Sequence, residues 1–239
     1  MKPTFILLPG LLCDATVWRD QVAALSEQFI CTVPDFGQLD SIAAMAAMVL
    51  ALAPEVFLLA GHSMGGRVAL EIVRRAPQRV TKLVLLDTGF QARAAGEAGE
   101  REAQQRMRLV NVSATQGMRA MGVEWLRGMV SAHHWADATL LDTLLSMIER
   151  KTPEVHAAQI RALLERPDAT DVLPAIGCPT LVICGRQDEW SPLALHERMT
   201  ALIPAAKLSV IEKTGHMSII ESPSDVTAAI RDFAGTVSP

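Results

Sequence analysis

Short apolar runs alternate with longer helical patterns along this chain, and that alternation is the feature that most restricts its fold. The runs are apolar throughout, which is typical of strands buried on both faces, and the helical patterns between them indicate parallel connections. The strand-like runs are 4–8, 30–33, 56–60, 83–86, 180–184 and 208–211. The sequence therefore predicts an α/β fold with a mostly parallel sheet flanked by helices.

The alternation is interrupted once, after the fourth strand-like run. Residues 90–174 contain no strand-like run, are rich in Ala, Met, Arg and Glu, and are broken by glycines and prolines. Strand-helix alternation then returns, so this stretch is an insertion and not a separate sequential domain. We predict a core of residues 1–89 and 175–239 with a helical lid, residues 90–174, inserted after the fourth strand.

Composition excludes several classes of protein. Half of the 239 residues are apolar, a fifth are charged and the formal net charge is −4, whereas a nucleic-acid-binding domain usually has a basic excess. The longest apolar stretch, 42–53, is shorter than the about 20 residues that span a bilayer. No targeting segment is visible. The four cysteines form no CxxC pair, which favours free thiols in a cytoplasmic protein without a metal site.

Residues 58–66, LLAGHSMGG, join a strand to a helix and contain the pattern G-x-S-x-G, known as the nucleophile elbow. The glycines at 61 and 65 allow the sharp turn that exposes the hydroxyl of Ser63 at the carboxyl edge of the sheet. The alternative is a plain glycine-rich turn, as in a nucleotide-binding protein, but neither GxGxxG nor GxxxxGK[ST] occurs here. We therefore predict Ser63 as a nucleophile.

A serine nucleophile needs a base, and the base needs an acidic residue to orient it. His216 lies in KTGHM at 213–217, in a loop after the last strand, and such loops open on the same edge as the elbow. Asp188 and Asp87 both follow strands at that edge. We favour Asp188 as the acid because its strand adjoins the histidine strand, and Asp87 is then a cap at the start of the insertion.

Catalysis of acyl transfer also requires two backbone N–H donors for the oxyanion. Met64, the residue after the predicted nucleophile, supplies the first. The second is expected from the loop after the first strand, where Gly10 permits a close approach and Leu11 would donate.

Four segments together resemble the α/β-hydrolase superfamily, and the resemblance extends over nearly the whole chain. They are FILLPG at 5–10, GHSMGG at 61–66, LVICGRQD at 181–188 and KTGHM at 213–217. More loosely, the chain is similar to small bacterial carboxylesterases such as the pimeloyl-carrier-protein methyl ester esterases. The resemblance implies that Ser63, Asp188 and His216 form the triad and that Leu11 and Met64 are the oxyanion donors.

The chain departs from the superfamily pattern in two places. Pro9-Gly10 replaces the usual His-Gly, so a histidine that braces the oxyanion loop is missing. The usual first two strands are also absent before Thr4, which leaves one sheet edge shorter and would favour a homodimer over a monomer.

The methionines, leucines and tryptophans of the insertion have two interpretations. Most would form the insertion's own core, and the remainder would line an apolar acyl pocket, with Trp125, Met129 and Trp135 as candidates. The arginines of residues 101–127 are interpreted as a solvated helix face, or alternatively as a dock for an acidic carrier protein or a substrate carboxylate. These arginines are Arg101, Arg106, Arg108, Arg119 and Arg127.

The leading functional hypothesis is hydrolysis of a small carboxylic ester through an acyl-enzyme, without a cofactor or metal. A thioesterase or a carbon–carbon bond hydrolase could use the same triad. A binding protein without catalytic activity is the alternative from a different class. The expected partners are a small ester and, by the resemblance, an acyl carrier protein.

Overall fold

A computed structural model describes residues 2–235 of the chain. Within them six strands form one sheet in the order β2-β1-β3-β4-β5-β6, and every neighbouring pair is parallel. The strands are β1 (Thr4–Leu8), β2 (Ile30–Thr32), β3 (Phe57–His62), β4 (Val80–Leu86), β5 (Thr180–Gly185) and β6 (Lys207–Ile211). This sheet confirms the predicted α/β fold class.

Helices connect the strands and cover both faces of the sheet, because parallel neighbours require crossover connections. Those of the core are α1 (Arg19–Leu25), α2 (Ile42–Leu52), α3 (Met64–Arg75), α8 (Leu193–Leu202), α9 (Ser218–Glu221) and α10 (Pro223–Gly235). Between β4 and β5 lie α4 (Gly96–Gln116), α5 (Met118–Leu126), α6 (Ala138–Glu149) and α7 (Pro153–Leu164). The described residues include no helix with the length and apolar character needed to cross a membrane.

Local sequence explains several helix starts. The Ser41 hydroxyl accepts a hydrogen bond from Ala44 N at the start of α2, as a good N-cap does. Thr152 caps α7 in the same way, with Pro153 at its first position. Asp14 caps a 3-10 turn over Ala15–Trp18, and α1 begins directly after it at Arg19.

The sheet register brings the carboxyl ends of β3, β4, β5 and β6 to one edge. His62 pairs with Leu86, and Gly185 pairs with Ile211, so the loops after these strands are neighbours. At the far side of the sheet β2 is a short edge strand on which Ile30 is exposed. The homodimer expected from that edge stays a prediction.

Candidate active site

Ser63 lies at the sharp turn between β3 and α3. Its backbone has φ 53° and ψ −115°, a conformation that a residue with a side chain adopts only under constraint. The constraint comes from close packing of the flanking glycines. A Cβ on Gly61 would lie 2.3 Å from the Gly65 carbonyl oxygen, and a Cβ on Gly65 would lie 2.3 Å from the Leu8 carbonyl oxygen.

Two loops from neighbouring strands bring an imidazole and a carboxylate to this serine. His216, after β6, places Nε2 2.8 Å from the Ser63 Oγ. Asp188, after β5, places Oδ2 2.9 Å from the Nδ1 of the same imidazole. Both side chains are buried, whereas Ser63 is half-buried. A hydroxyl, an imidazole and a carboxylate therefore form one continuous chain of hydrogen bonds.

The surroundings of His216 fix its tautomer and its proton affinity. Because the Asp188 carboxylate can only accept, Nδ1–H donates to it and Nε2 is left to accept from the serine hydroxyl. The other oxygen of Asp188 accepts from the backbone N–H groups of Trp190 and Ser191, at 2.9 and 2.8 Å. Burial of the imidazole opposes its charged form most strongly, but the charge and hydrogen bond of Asp188 together with the charge of Asp87 outweigh burial, so the pKa of His216 lies above its ordinary 6.5.

Asp87, the alternative acid, is fully buried beside this chain but has different partners. Its Oδ1 accepts from Gly185 N at 2.8 Å, and its Oδ2 accepts from the Ser218 hydroxyl at 2.6 Å. Burial and the neighbouring Asp188 carboxylate raise the pKa of Asp87 well above its ordinary value. The structure thus places Asp87 as a link between the β5 loop and the His216 loop. Asp87 does not act as the cap that was expected at the start of the insertion, because its partners are Gly185 and Ser218.

These two aspartates also form, with Cys184, the one group of potential metal ligands found among residues 2–235, with donor atoms within 4.8 Å of one another. All four carboxylate oxygens already accept hydrogen bonds from protein donors. Burial also raises the pKa of the Cys184 thiol, which disfavours the thiolate that binds metals. The group is therefore better suited to holding the two loops than to binding a metal ion.

The loop after β1 lies against the Ser63 turn, as the oxyanion prediction requires. A Cβ on Gly10 would lie 3.3 Å from the Ser63 Cβ and 2.9 Å from the His62 Nδ1. Leu11 is buried next to Gly10. Met64 is the first residue of α3, where a backbone N–H has no acceptor within the helix. The loop and the helix start are adjacent, and the donor roles of Leu11 and Met64 remain predictions.

Two side chains that the sequence analysis did not identify form hydrogen bonds to the loops of the site. One binds the loop after β1 and the other binds the loop that carries His216. Gln159 of α7 is buried, and its Oε1 accepts from Leu12 N at 2.9 Å. Leu12 has a positive φ of 59°, so the amide supports a strained backbone. His62 donates from Nε2 to the His216 carbonyl, 3.0 Å away. A lone glutamine on the apolar face of a predicted helix was the signal that could have identified Gln159.

A cavity of about 400 Å³ opens beside Ser63. Its walls come from the core and from the segment between β4 and β5, and many of them are polar or charged. The lining includes Ser63, Met64, Arg67, Gln91, Glu102, Gln105, Arg106, Leu163, Arg166, Glu189, Trp190 and Leu195.

The structure does not bring the three substrate-binding candidates to this cavity. Met129 is buried, and its carbonyl accepts from Met217 N at 3.2 Å, behind the His216 loop. Trp125 packs against the hydrophobic core, and Trp135 is partly exposed. Many other apolar side chains of the helical segment are likewise buried, in a hydrophobic core that is continuous with that of the sheet. These are Met118, Met121, Leu126, Leu140, Leu144 and Met147.

Four of the five arginines of residues 101–127 take part in ion pairs, and the fifth, Arg127, is exposed. Three form ion pairs on the surface: Arg101 with Glu97, Arg108 with Glu124, and Arg119 with Asp142 and Glu149. Arg106 instead is buried and lines the cavity. The solvated-face interpretation therefore describes the exposed arginines, and Arg106, which is buried in its ion pair with Glu102, is the exception.

Comparisons with known proteins identify the family and the fold. A model of the alpha/beta hydrolase family matches residues 5–230. The pimeloyl-acyl-carrier-protein methyl ester esterase of Vibrio parahaemolyticus is 27% identical over 97% of this chain and 94% of that protein. A thermophilic esterase from Thermogutta terrifontis has a TM-score of 0.87 at 29% identity, covering 98% of this chain and 90% of that one. The enol-lactonase from Burkholderia xenovorans LB400 shares the fold, with a TM-score of 0.87 at 22% identity over 99% and 92% of the two chains.

Proposed function

Because this chain belongs to the alpha/beta hydrolase family, whose members similar to it are esterases and other hydrolases, we propose that it cleaves a small carboxylic ester through an acyl-enzyme. The observation that carries the proposal is the hydrogen-bond chain from the Ser63 hydroxyl through His216 to Asp188. A hydroxyl that donates to a neutral imidazole is an activated nucleophile.

The first half-reaction forms the acyl-enzyme. The Ser63 Oγ attacks the ester carbonyl carbon while its proton moves to His216 Nε2, and the Asp188 carboxylate stabilises the resulting imidazolium. The carbonyl oxygen becomes an oxyanion, for which the N–H groups of Leu11 and Met64 are the proposed donors. The bond from carbon to the alcohol oxygen then breaks, and His216 returns its proton to that oxygen.

The second half-reaction releases the acid. Water attacks the acyl carbon and gives a proton to His216, and the bond to the Ser63 Oγ breaks as that proton passes to the serine. The same groups would serve a thioester, since only the leaving atom differs. The ester is preferred as substrate because esterases stand among both the sequence relatives and the solved structures.

Residues 90–174 act in this proposal as the lid predicted from the sequence. Glu102, Gln105 and Arg106 of α4 and Leu163 of α7 face the same cavity as Ser63. The segment therefore covers the reacting serine, and the Gln159 contact joins it to the oxyanion loop. Excluding water from the site strengthens the electrostatic interactions inside it.

An acyl carrier protein is the partner that the relatives' names indicate, since several are named for a carrier-linked ester. Carrier recognition by surface arginines has limited support in this chain. Arg101, Arg108 and Arg119 already pair with carboxylates of the same segment, and the net charge is −4. We therefore propose a free small-molecule ester as the principal substrate.

A panel of esters, thioesters and lactones tests the proposed activity on purified protein. We expect the highest kcat/KM for an ester with a short-to-medium acyl chain and a small alcohol, because a cavity of about 400 Å³ accommodates only a compact substrate. We also expect activity to be unaffected by a chelator. Rates that keep rising to long acyl chains would contradict the size limit, and loss of activity with a chelator would contradict the metal-free mechanism.

The pH dependence of kcat/KM tests the role of His216. Since only the neutral imidazole accepts the serine proton, kcat/KM should rise with pH through one ionisation and then level off. The pKa of His216 is raised, so the midpoint should lie above the ordinary value of 6.5. Initial rates on a neutral ester over about pH 5 to 9 measure it. A rate that does not change across that range would exclude a histidine base.

A further inference from the structure

Three arginines line the cavity that contains Ser63. Arg67 is on α3, four residues after the serine and therefore on the same side of that helix, one turn away. Arg106 comes from α4 and Arg166 from the chain directly after α7. The side chains of Arg106 and Arg166 are only 8% and 9% exposed, and Arg67 is half-buried. Three guanidinium groups therefore meet in a largely buried space beside the reacting hydroxyl.

One carboxylate, that of Glu102, pairs with two of them. It accepts from Arg106 Nε at 2.9 Å and from both Nη atoms of Arg166, at 2.7 and 2.9 Å. These neighbours lower the pKa of Glu102 to about 2 in spite of its burial, so it is ionised. A single negative charge thus faces three positive charges. Glu189 is also on the lining, but its side chain is exposed to water.

Arg67 is the one of these three arginines that does not pair with Glu102. Its Nη1 donates to the Gln91 carbonyl at 2.8 Å, and within residues 2–235 no carboxylate forms an ion pair with it. Asp168 is near Arg67 but is exposed, and its oxygens accept from Ala92 N and Thr170 N. Burial, together with Arg166 and Arg106, lowers the pKa of Arg67 to about 9, which still leaves it charged at neutral pH.

Arg106 is oriented by an aromatic ring on the opposite wall. Its guanidinium lies 5.2 Å from the centre of the Trp190 ring, a cation–π distance. Trp190 is two residues after Asp188, so this contact connects α4 to the loop that carries the acid. Arginine side chains held in this way present a fixed planar set of donors, which suits a planar carboxylate.

We propose that the cavity is a subsite for a carboxylate, and that the substrate is a compact ester carrying a free carboxylate away from the bond that is cleaved. This inference rests on the proposed function, since it names the substrate class of the same site. Arg67 and Arg106 bind the carboxylate, and Arg166 keeps Glu102 from competing by holding it in a bidentate pair. Three guanidinium groups and one glutamate give the cavity a net positive charge. A bound carboxylate offsets that charge.

Matched pairs of esters test the subsite by kinetics. Monomethyl glutarate and dimethyl glutarate have nearly the same shape and differ in one negative charge, placed on the acyl side. The pair 4-acetoxybutanoate and pentyl acetate places the charge on the alcohol side. We expect kcat/KM to favour the acid in one of the two pairs by about 10- to 100-fold, the range of a charge-assisted hydrogen bond. Equal values within both pairs would overturn the proposal.

Two variants and a control assign that preference to the cavity. Arg67→Gln removes a positive charge that forms no ion pair within residues 2–235. Arg106→Gln leaves the bidentate Arg166–Glu102 pair in place. Each should raise KM for the acid about tenfold or more relative to the uncharged ester of the same pair. Arg101→Gln, on the same helix as Arg106 but in an exposed pair with Glu97, should change neither. Equal losses on both esters of a pair would show a structural role and contradict the subsite.

Binding measured without turnover separates this inference from the proposed activity. Calorimetric titration with glutarate should show binding to both the unmodified protein and Ser63→Ala, and Arg67→Gln should weaken it about tenfold or more. If no ester is hydrolysed but glutarate binds in this arginine-dependent way, the carboxylate subsite stands and the proposed reaction fails. If esters are hydrolysed and glutarate does not bind, or binds Arg67→Gln equally well, the subsite is excluded.

Discussion

The Ser63→Ala protein is expected to hydrolyse esters about 10⁴-fold more slowly than the unmodified protein, or more slowly still, because triad residues act as a unit. The hydroxyl is the only group of Ser63 that the substitution removes, and its partner is His216 Nε2. The change keeps a Cβ, so the strained backbone at φ 53° and ψ −115° is retained. Steady-state kcat/KM on the best ester of the panel measures the effect.

A fluorophosphonate probe gives an independent measure of the same residue. The unmodified protein should be labelled at Ser63, and Ser63→Ala should not be labelled. Ser224→Ala, at an exposed serine near the start of α10, is the matched control and should keep both activity and labelling. Circular dichroism should show the same fold and a similar melting temperature for all three proteins. Labelling of Ser63→Ala to the full extent would assign the nucleophile to another residue.

The sheet and the hydrogen-bond chain at its edge could be anticipated because each depends on local signals and on topology. Continuous apolar runs identify buried parallel strands, and Gly61 and Gly65 mark a turn that only small residues permit. In a parallel sheet, the loops after β3, β5 and β6 must open on one edge. That rule places Ser63, Asp188 and His216 in the same region of the fold.

The cavity could not be anticipated, because its walls depend on how the helices between β4 and β5 pack. Glu102 and Arg106 are one turn apart on α4, but Arg166 is far from both in sequence, and only packing of α4 against α7 brings it to Glu102. The helical pattern shows which residues share a face, but not which face turns towards Ser63. Of the apolar residues expected to line a pocket, Met129 is instead buried in the hydrophobic core and Trp135 is exposed.

The positions of Asp87 and Asp188 show why the sequence alone left two candidates for the acid that orients His216. Both follow strands that end at the same edge, and both side chains are buried there. They differ in direction: Asp188 faces the His216 ring, whereas Asp87 faces Gly185 N and the Ser218 hydroxyl. Its two contacts suit Asp87 to a hydrogen-bonding role in holding the two loops.

Replacing Asp188 with asparagine is expected to lower kcat/KM by about 10⁴-fold, the size of the corresponding change in a serine protease. The amide can donate to Nδ1, which turns the proton to Nε2 and leaves no acceptor for the Ser63 hydroxyl. Loss of the carboxylate should also move the midpoint of the pH profile to lower pH, since Asp188 raises the pKa of His216. Asp87→Asn is the matched control, because it makes the same chemical change at a neighbouring buried aspartate and His216 keeps its Asp188 partner. We expect a much smaller loss there, and a larger loss for Asp87→Asn than for Asp188→Asn would reassign the acid to the end of β4.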